Sequence, residues 1–183
     1  LVERAAAIPG VEAAAGVLIR PLDGPQGFDY PFSIEGRDRQ EQAAYPFLNY
    51  EAITPDYFRS TGLRLVRGRG FARTDGADAP RVVILGESVA RRFWPGQDPV
   101  GQRMKWGGTD SPAPWLEVVG VVEGGRYRGL EAVTLDAYVP YEQSPWPLNH
   151  LVLRTRSDPA AVAAELRREA AALVPSARLL DVA

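Results

Sequence analysis

Residues Arg81–Arg103, RVVILGESVARRFWPGQDPVGQR, constrain the fold more than any other stretch. Val82, Val83, Ile84 and Leu85 form an unbroken apolar run, the pattern of a strand covered on both faces. Gly86 predicts a turn that a residue with a Cβ would resist. A short helix follows from Glu87, with Val89, Phe93 and Ala90 on one side and Arg91 and Arg92 on the other. Pro95 and Gly96 stop it, because proline cannot continue the hydrogen-bond ladder. Asp98-Pro99 then opens a second turn toward Val100.

A chain of 183 residues holds one good-sized core or two small ones. Its 45% hydrophobic and 24% charged residues are ordinary for a folded domain. A net charge of −2 gives no electrostatic reason to expect nucleic acid or an anionic membrane surface. The absence of cysteine excludes disulfides and thiolate chemistry, and a single histidine, His150, leaves little scope for a metal site. No cofactor is expected. No segment is apolar for long enough to span a bilayer. Since the first residue is Leu1, the chain is expected to be a piece of a longer protein, with any membrane attachment outside it.

Along the chain, Val2–Ile8 reads as a helix closed by Pro9-Gly10, and Val11–Ile19 as a strand. Pro21 to Pro31 reads as a surface loop. Phe32 and Ile34 mark a short strand, and Leu48–Ile53 another. Thr54-Pro55-Asp56 predicts a helix start with Thr54 as the cap, ended by Gly62. Arg67-Gly68-Arg69-Gly70 reads as a basic turn. Trp115–Val122 and Leu151–Thr155 are strands. Ser157-Asp158-Pro159 caps a helix carrying Val162, Leu166, Ala170 and Leu173 at helical spacing, and Ala177–Val182 is a last strand. The two ends resemble each other: setting Pro9 against Pro175 pairs Glu3 with Glu169 and Ile8 with Val174. If that match is real, both ends build one α/β unit around an inserted middle.

Three features invite a chemical reading. Gly86-Glu87-Ser88-Val89-Ala90 lies between a strand and a helix, and Asp136 and His150 follow in the order of an α/β-hydrolase triad. Against it, few strands precede the serine, no oxyanion-hole glycine pair stands upstream, and a first-turn serine ordinarily satisfies its own backbone. Gly120…Gly124-Gly125 matches neither a dinucleotide fingerprint nor a P-loop, so a turn between strands is the expectation. Of the four tryptophans, Trp94 and Trp146 border prolines in loops and are the candidates for partner contact. Two alternatives stay open on these residues, a serine hydrolase using Ser88 and a free-standing small-ligand binding module.

The order Thr54-Pro55-Asp56-Tyr57-Phe58, Gly62, Arg67-Gly68-Arg69, Phe71, Val82–Leu85 with Glu87, Ala90-Arg91-Arg92-Phe93, Pro95, Asp98-Pro99-Val100-Gly101, Val118–Val122 and Tyr138-Val139-Pro140-Tyr141 resembles the periplasmic core domain of MacB-like ABC transporter permeases of the FtsX-like group. Gly86 stands where these domains usually carry asparagine; both tolerate a left-handed backbone, so the turn is expected to persist. The resemblance implies an α+β, two-subdomain extracytoplasmic domain of an inner-membrane protein. A porter-like subdomain would span 1–53 and 148–183, and an inserted Sabre-like subdomain 54–147. It implies a non-catalytic role. Its partners would be the permease's own transmembrane helices, a second permease copy, a separate ABC ATPase domain or subunit, and in some relatives a periplasmic adaptor.

Overall fold

The computed structural model describes residues 1–20, 27–37, 47–124 and 134–173. The elements run α1 (Val2–Ala6), β1 (Val11–Val17), β2 (Phe28–Ile34), β3 (Phe47–Ile53), α2 (Tyr57–Thr61), β4 (Leu65–Gly68), β5 (Val82–Gly86), α3 (Glu87–Phe93), β6 (Arg103–Trp106), β7 (Leu116–Val122), β8 (Asp136–Pro140), a 3-10 turn (Tyr141–Gln143), β9 (His150–Thr155) and α4 (Pro159–Leu173). This is a mixed α/β chain, in line with the α+β expectation, and its strands form one sheet.

The sheet order is β2-β6-β7-β5-β8-β3-β1-β9, with β4 on the outer edge of β7. β2 pairs twice. Its first half, Phe28–Pro31, runs against β3, and its second half, Phe32–Ile34, against β6. Six strands therefore close into a ring, β2-β6-β7-β5-β8-β3. Alternation along the strands sorts their side chains. Phe32, Ile34, Leu48, Tyr50, Val83, Leu85, Met104, Leu116, Val118, Ala137 and Val139 share one core cluster, drawing on all six ring strands. That cluster is the ring's interior.

The outward residues Val82, Ile84, Ile53, Val119, Val122 and Tyr138 pack with Tyr57 and Phe58 of α2 in a second cluster. β5 is thus buried on both faces, as its unbroken apolar run predicted. Burial pushes the phenols of Tyr57 and Tyr138 well above their ordinary range. The Tyr138 hydroxyl lies in this layer with no hydrogen-bond partner among the described residues.

The two ends of the chain meet at the far side. β1 and β9 pair antiparallel, from Val11 opposite Thr155 to Val17 opposite His150. Ala5 and Ile8 pack with Ala14, Val162 and Leu166 in a third, smaller cluster. Arg4 reaches Glu169 at 3.0 Å, and Arg156 pairs with Glu12. Asp158 caps α4 through its carboxylate, which accepts from the Ala160 N–H at 3.1 Å. The strand expected over Ala177–Val182 lies outside the described residues.

Several local expectations are corrected. Gly86 is extended, at φ −66° and ψ 147°, and serves as the last residue of β5. With that backbone the turn does not need a left-handed residue, and a Cβ there would be in ordinary contact with Asp136, nearest its carbonyl oxygen at 3.4 Å. The true close approach is Gly120, where a Cβ would stand 2.4 Å from the Arg69 carbonyl oxygen. That glycine lets β4 lie against β7. Thr54 does not cap α2 through its side chain; its hydroxyl oxygen accepts from the Gly16 N–H at 3.0 Å, tying β1 to the end of β3. Phe28–Pro31, expected in a loop, belongs to β2, and the supposed basic turn at Arg67 and Gly68 lies in β4.

Candidate functional site

The hydrolase candidates do not come together. The Ser88 hydroxyl donates to the Thr134 carbonyl at 2.6 Å. Asp136 is fully buried, accepting from the Asn49 side-chain amide at 2.9 Å and from the Thr134 hydroxyl at 2.6 Å. His150 stands on β9, three strands from β8 along the order β8-β3-β1-β9, or about 14 Å at ordinary strand spacing. Ser88 and Asp136 instead seal one end of the ring. There Val89, Phe93 and Trp94 insert among the ring's inward residues, with Phe93 edge-on to Phe32 at 5.1 Å.

Two of the arginines in the basic stretches are held by carboxylates. Arg69 grips Asp75 with both terminal nitrogens, at 2.7 and 2.9 Å, and the Ala72 N–H adds a third bond. The Arg69 hydrogen bonds hold the Asp75 carboxyl below its usual range, against the opposing effect of burial. Arg91 pairs with Glu87 one helical turn earlier, at 3.1 Å. Among the described residues, no group of three or more histidine and carboxylate side chains could hold a metal ion.

The other end of the ring is open. Parallel β5 and β7 begin there, β6 and β8 end there, and the inward rings of Tyr30, Tyr50 and Trp106 form a mutually touching wall with centroids 5.1–6.1 Å apart. A cavity of about 520 Å³ lies over this wall, bounded by Arg81, Leu116, Val139 and the 142–146 loop. Its charged lining residues are Arg81 and Glu142. Burial raises the Tyr50 phenol above its ordinary range, an effect opposed by a hydrogen bond with Ser144. Gln143 pins the mouth loop: its side-chain oxygen accepts from the Val82 N–H at 3.1 Å, and its amide nitrogen reaches the carbonyls of Gly76 and Pro80.

The two candidate tryptophans are placed very differently. Trp94 is 4% exposed inside the ring core, with the Arg37 guanidinium 5.4 Å from its ring centre. Trp146 is 39% exposed on the cavity rim, stacked on Phe28 at 5.6 Å and 13°. Sequence reasoning missed the mouth itself. Tyr30, Tyr50 and Trp106 come from three separate segments, and only the closure of the ring brings them together.

Residues 1–169 match the family described as MacB-like periplasmic core domain. Two solved structures share the architecture. One is the periplasmic region of MacB from Actinobacillus actinomycetemcomitans, at TM-score 0.67 and 15% identity over 94% of this chain and 72% of that one. The other is the extracellular domain of the noncanonic ABC-type transporter YknZ from Gram-positive bacteria, at TM-score 0.66 and 16% identity over 96% and 83%. No curated protein matches the chain in sequence. Among the described residues no helix is long and apolar enough to cross a membrane. With its ordered motifs, its ring and its joined ends, the chain belongs to the MacB-like periplasmic core domains, the extracytoplasmic domains of ABC transporter permeases.

Proposed function

We propose that this domain is the non-catalytic extracytoplasmic body of an ABC-type permease, which carries ATP-driven movement outward to substrate or partners. The observation that carries the reading is the seam between the two ends of the chain, where β1 pairs with β9 and α1 packs near α4. A body whose two ends share one sheet moves as a unit when either end is displaced, which a hinge motion at the membrane requires. The terminal unit (1–53 and 148–183) and the inserted unit (54–147) are the porter-like and Sabre-like parts in this reading. β2 and β3 couple them: β2 pairs with β6, and β3 hydrogen-bonds to β1 through its last residues and to β8 along most of its length.

The partners in this reading are the permease's own transmembrane helices, a second copy, a separate ATPase and an extracytoplasmic adaptor. Trp146, stacked on exposed Phe28, is the surface we assign to such a partner; Trp94 presents almost none of its ring. The test uses the full-length permease that carries this domain. Spin labels at exposed Asp78 in both copies should report different inter-copy distances in the nucleotide-free state and in an ATP-bound, hydrolysis-blocked state. Identical distance distributions in the two states would overturn the reading.

A further inference from the structure

The open mouth of the ring has features that force transmission alone does not call for. A closed ring of six strands is small enough to be filled by its own side chains. Here the interior is filled at the α3 end and left open at the other, above a wall of three touching aromatic rings. Two opposite charges line the opening. Arg81 donates to the Gln143 backbone carbonyl at 3.0 Å, and no carboxylate pairs with it among the described residues. Glu142, on the 3-10 turn that lines the mouth, has no cationic partner among them either. Elsewhere most of the described arginines, among them Arg4, Arg64, Arg69, Arg91, Arg103 and Arg156, have acidic partners. Two opposite charges left apart over an apolar floor match a ligand that carries both complements on a flat apolar body.

We propose that this mouth binds a small zwitterion with an aromatic ring, of the amino-acid or short-peptide type. The ligand's carboxylate accepts from the free guanidinium N–H groups of Arg81. Its ammonium faces Glu142. Its ring lies on Tyr30, Tyr50 and Trp106 in place of water. About 520 Å³ is within the range of sites that enclose small organic ligands, and the mouth of a strand barrel is a common place for one. The proposal is independent of the role in force transmission, and a chain that failed to couple to ATP hydrolysis could still bind such a ligand.

The experiment is calorimetric titration of the 183-residue chain with L-tryptophan, L-tryptophanamide and N-acetyl-L-tryptophan. The amide lacks the carboxylate, and the acetylated form lacks the ammonium. The free amino acid should bind tighter than either derivative by about two- to fivefold, the size of one solvent-facing charge contact. Glu142→Gln, an exposed change with no hydrogen bond to lose, should abolish the penalty of acetylation and leave the penalty of amidation. Arg81→Met should do the reverse. The proposal fails if the three probes bind alike, if none binds, or if Glu142→Gln leaves the acetylation penalty intact. Because Glu142→Gln does not disturb the fold, the test stands even if Arg81→Met unfolds.

Discussion

The ring core and the terminal seam are built by different means. Inside the ring, β5 and β8 contribute residues that are completely covered, and large branched or aromatic side chains meet from all six strands and α3. At the seam, β1 supplies Ala13, Ala14 and Ala15, β9 is at best half-buried along its length, and the cluster with α1 and α4 is small. What the seam lacks in apolar volume it replaces with register and polar ties: six paired positions, the Arg4–Glu169 and Arg156–Glu12 pairs, and the Thr155 hydroxyl donating to the Gly10 carbonyl at 3.0 Å. A region held by many weak directional contacts opens at lower cost than one held by close packing. The difference places the greater resistance to unfolding in the ring, while the seam holds the two ends together by pairing rather than by packing.

The largest expected effect tests the ring. Leu85→Ala removes a fully buried side chain from the interior and should cost about 3–4 kcal/mol in urea unfolding. Leu166→Ala, at the seam, should cost about 2 kcal/mol, because its neighbours include alanines and water can reach the space. Equal costs would break the comparison. Tyr138→Phe removes a buried hydroxyl that lacks a partner among the described residues and should stabilise the chain by about 1 kcal/mol; a loss instead would mean that the hydroxyl is satisfied by ordered water.

Acid sensitivity sharpens the comparison further. Asp75 has its folded pKa depressed through Arg69, so its contribution is fully present above the ordinary carboxylate range and is lost as pH falls through the folded value. Melting curves between about pH 3 and about pH 6 should show Asp75→Asn flattening the acid limb, with a loss of about 1 kcal/mol at the upper end. The smallest effect is at the turn into α3. Gly86→Ala should change stability by less than about 0.5 kcal/mol, since its backbone is extended and a Cβ has room.

These same elements explain what could be read from sequence. The runs in β5 and β7 were legible because burial on both faces leaves nothing but apolar residues. α4 was legible from its cap and its spaced Val162, Leu166 and Ala170, although Leu173 turns out to be exposed. β4 was not, because all four of its residues are exposed on an edge and show no alternation. β6 is only four residues long and hides Lys105, whose ammonium donates to the Thr109 and Ser111 carbonyls at 2.8 Å. No spacing rule announces a lysine satisfied in that way. Family order was visible from the motifs, while the aromatic mouth depended on β2 pairing with two strands at once.

The most direct test of the seam is a distance between spin labels replacing Arg4 on α1 and Glu169 on α4. A body with joined ends predicts one short, narrow distribution in the chain alone, unchanged in the full-length permease when ATP binds. A broad or long distribution, or one that shifts with nucleotide, would show that the two ends move separately and would contradict the account.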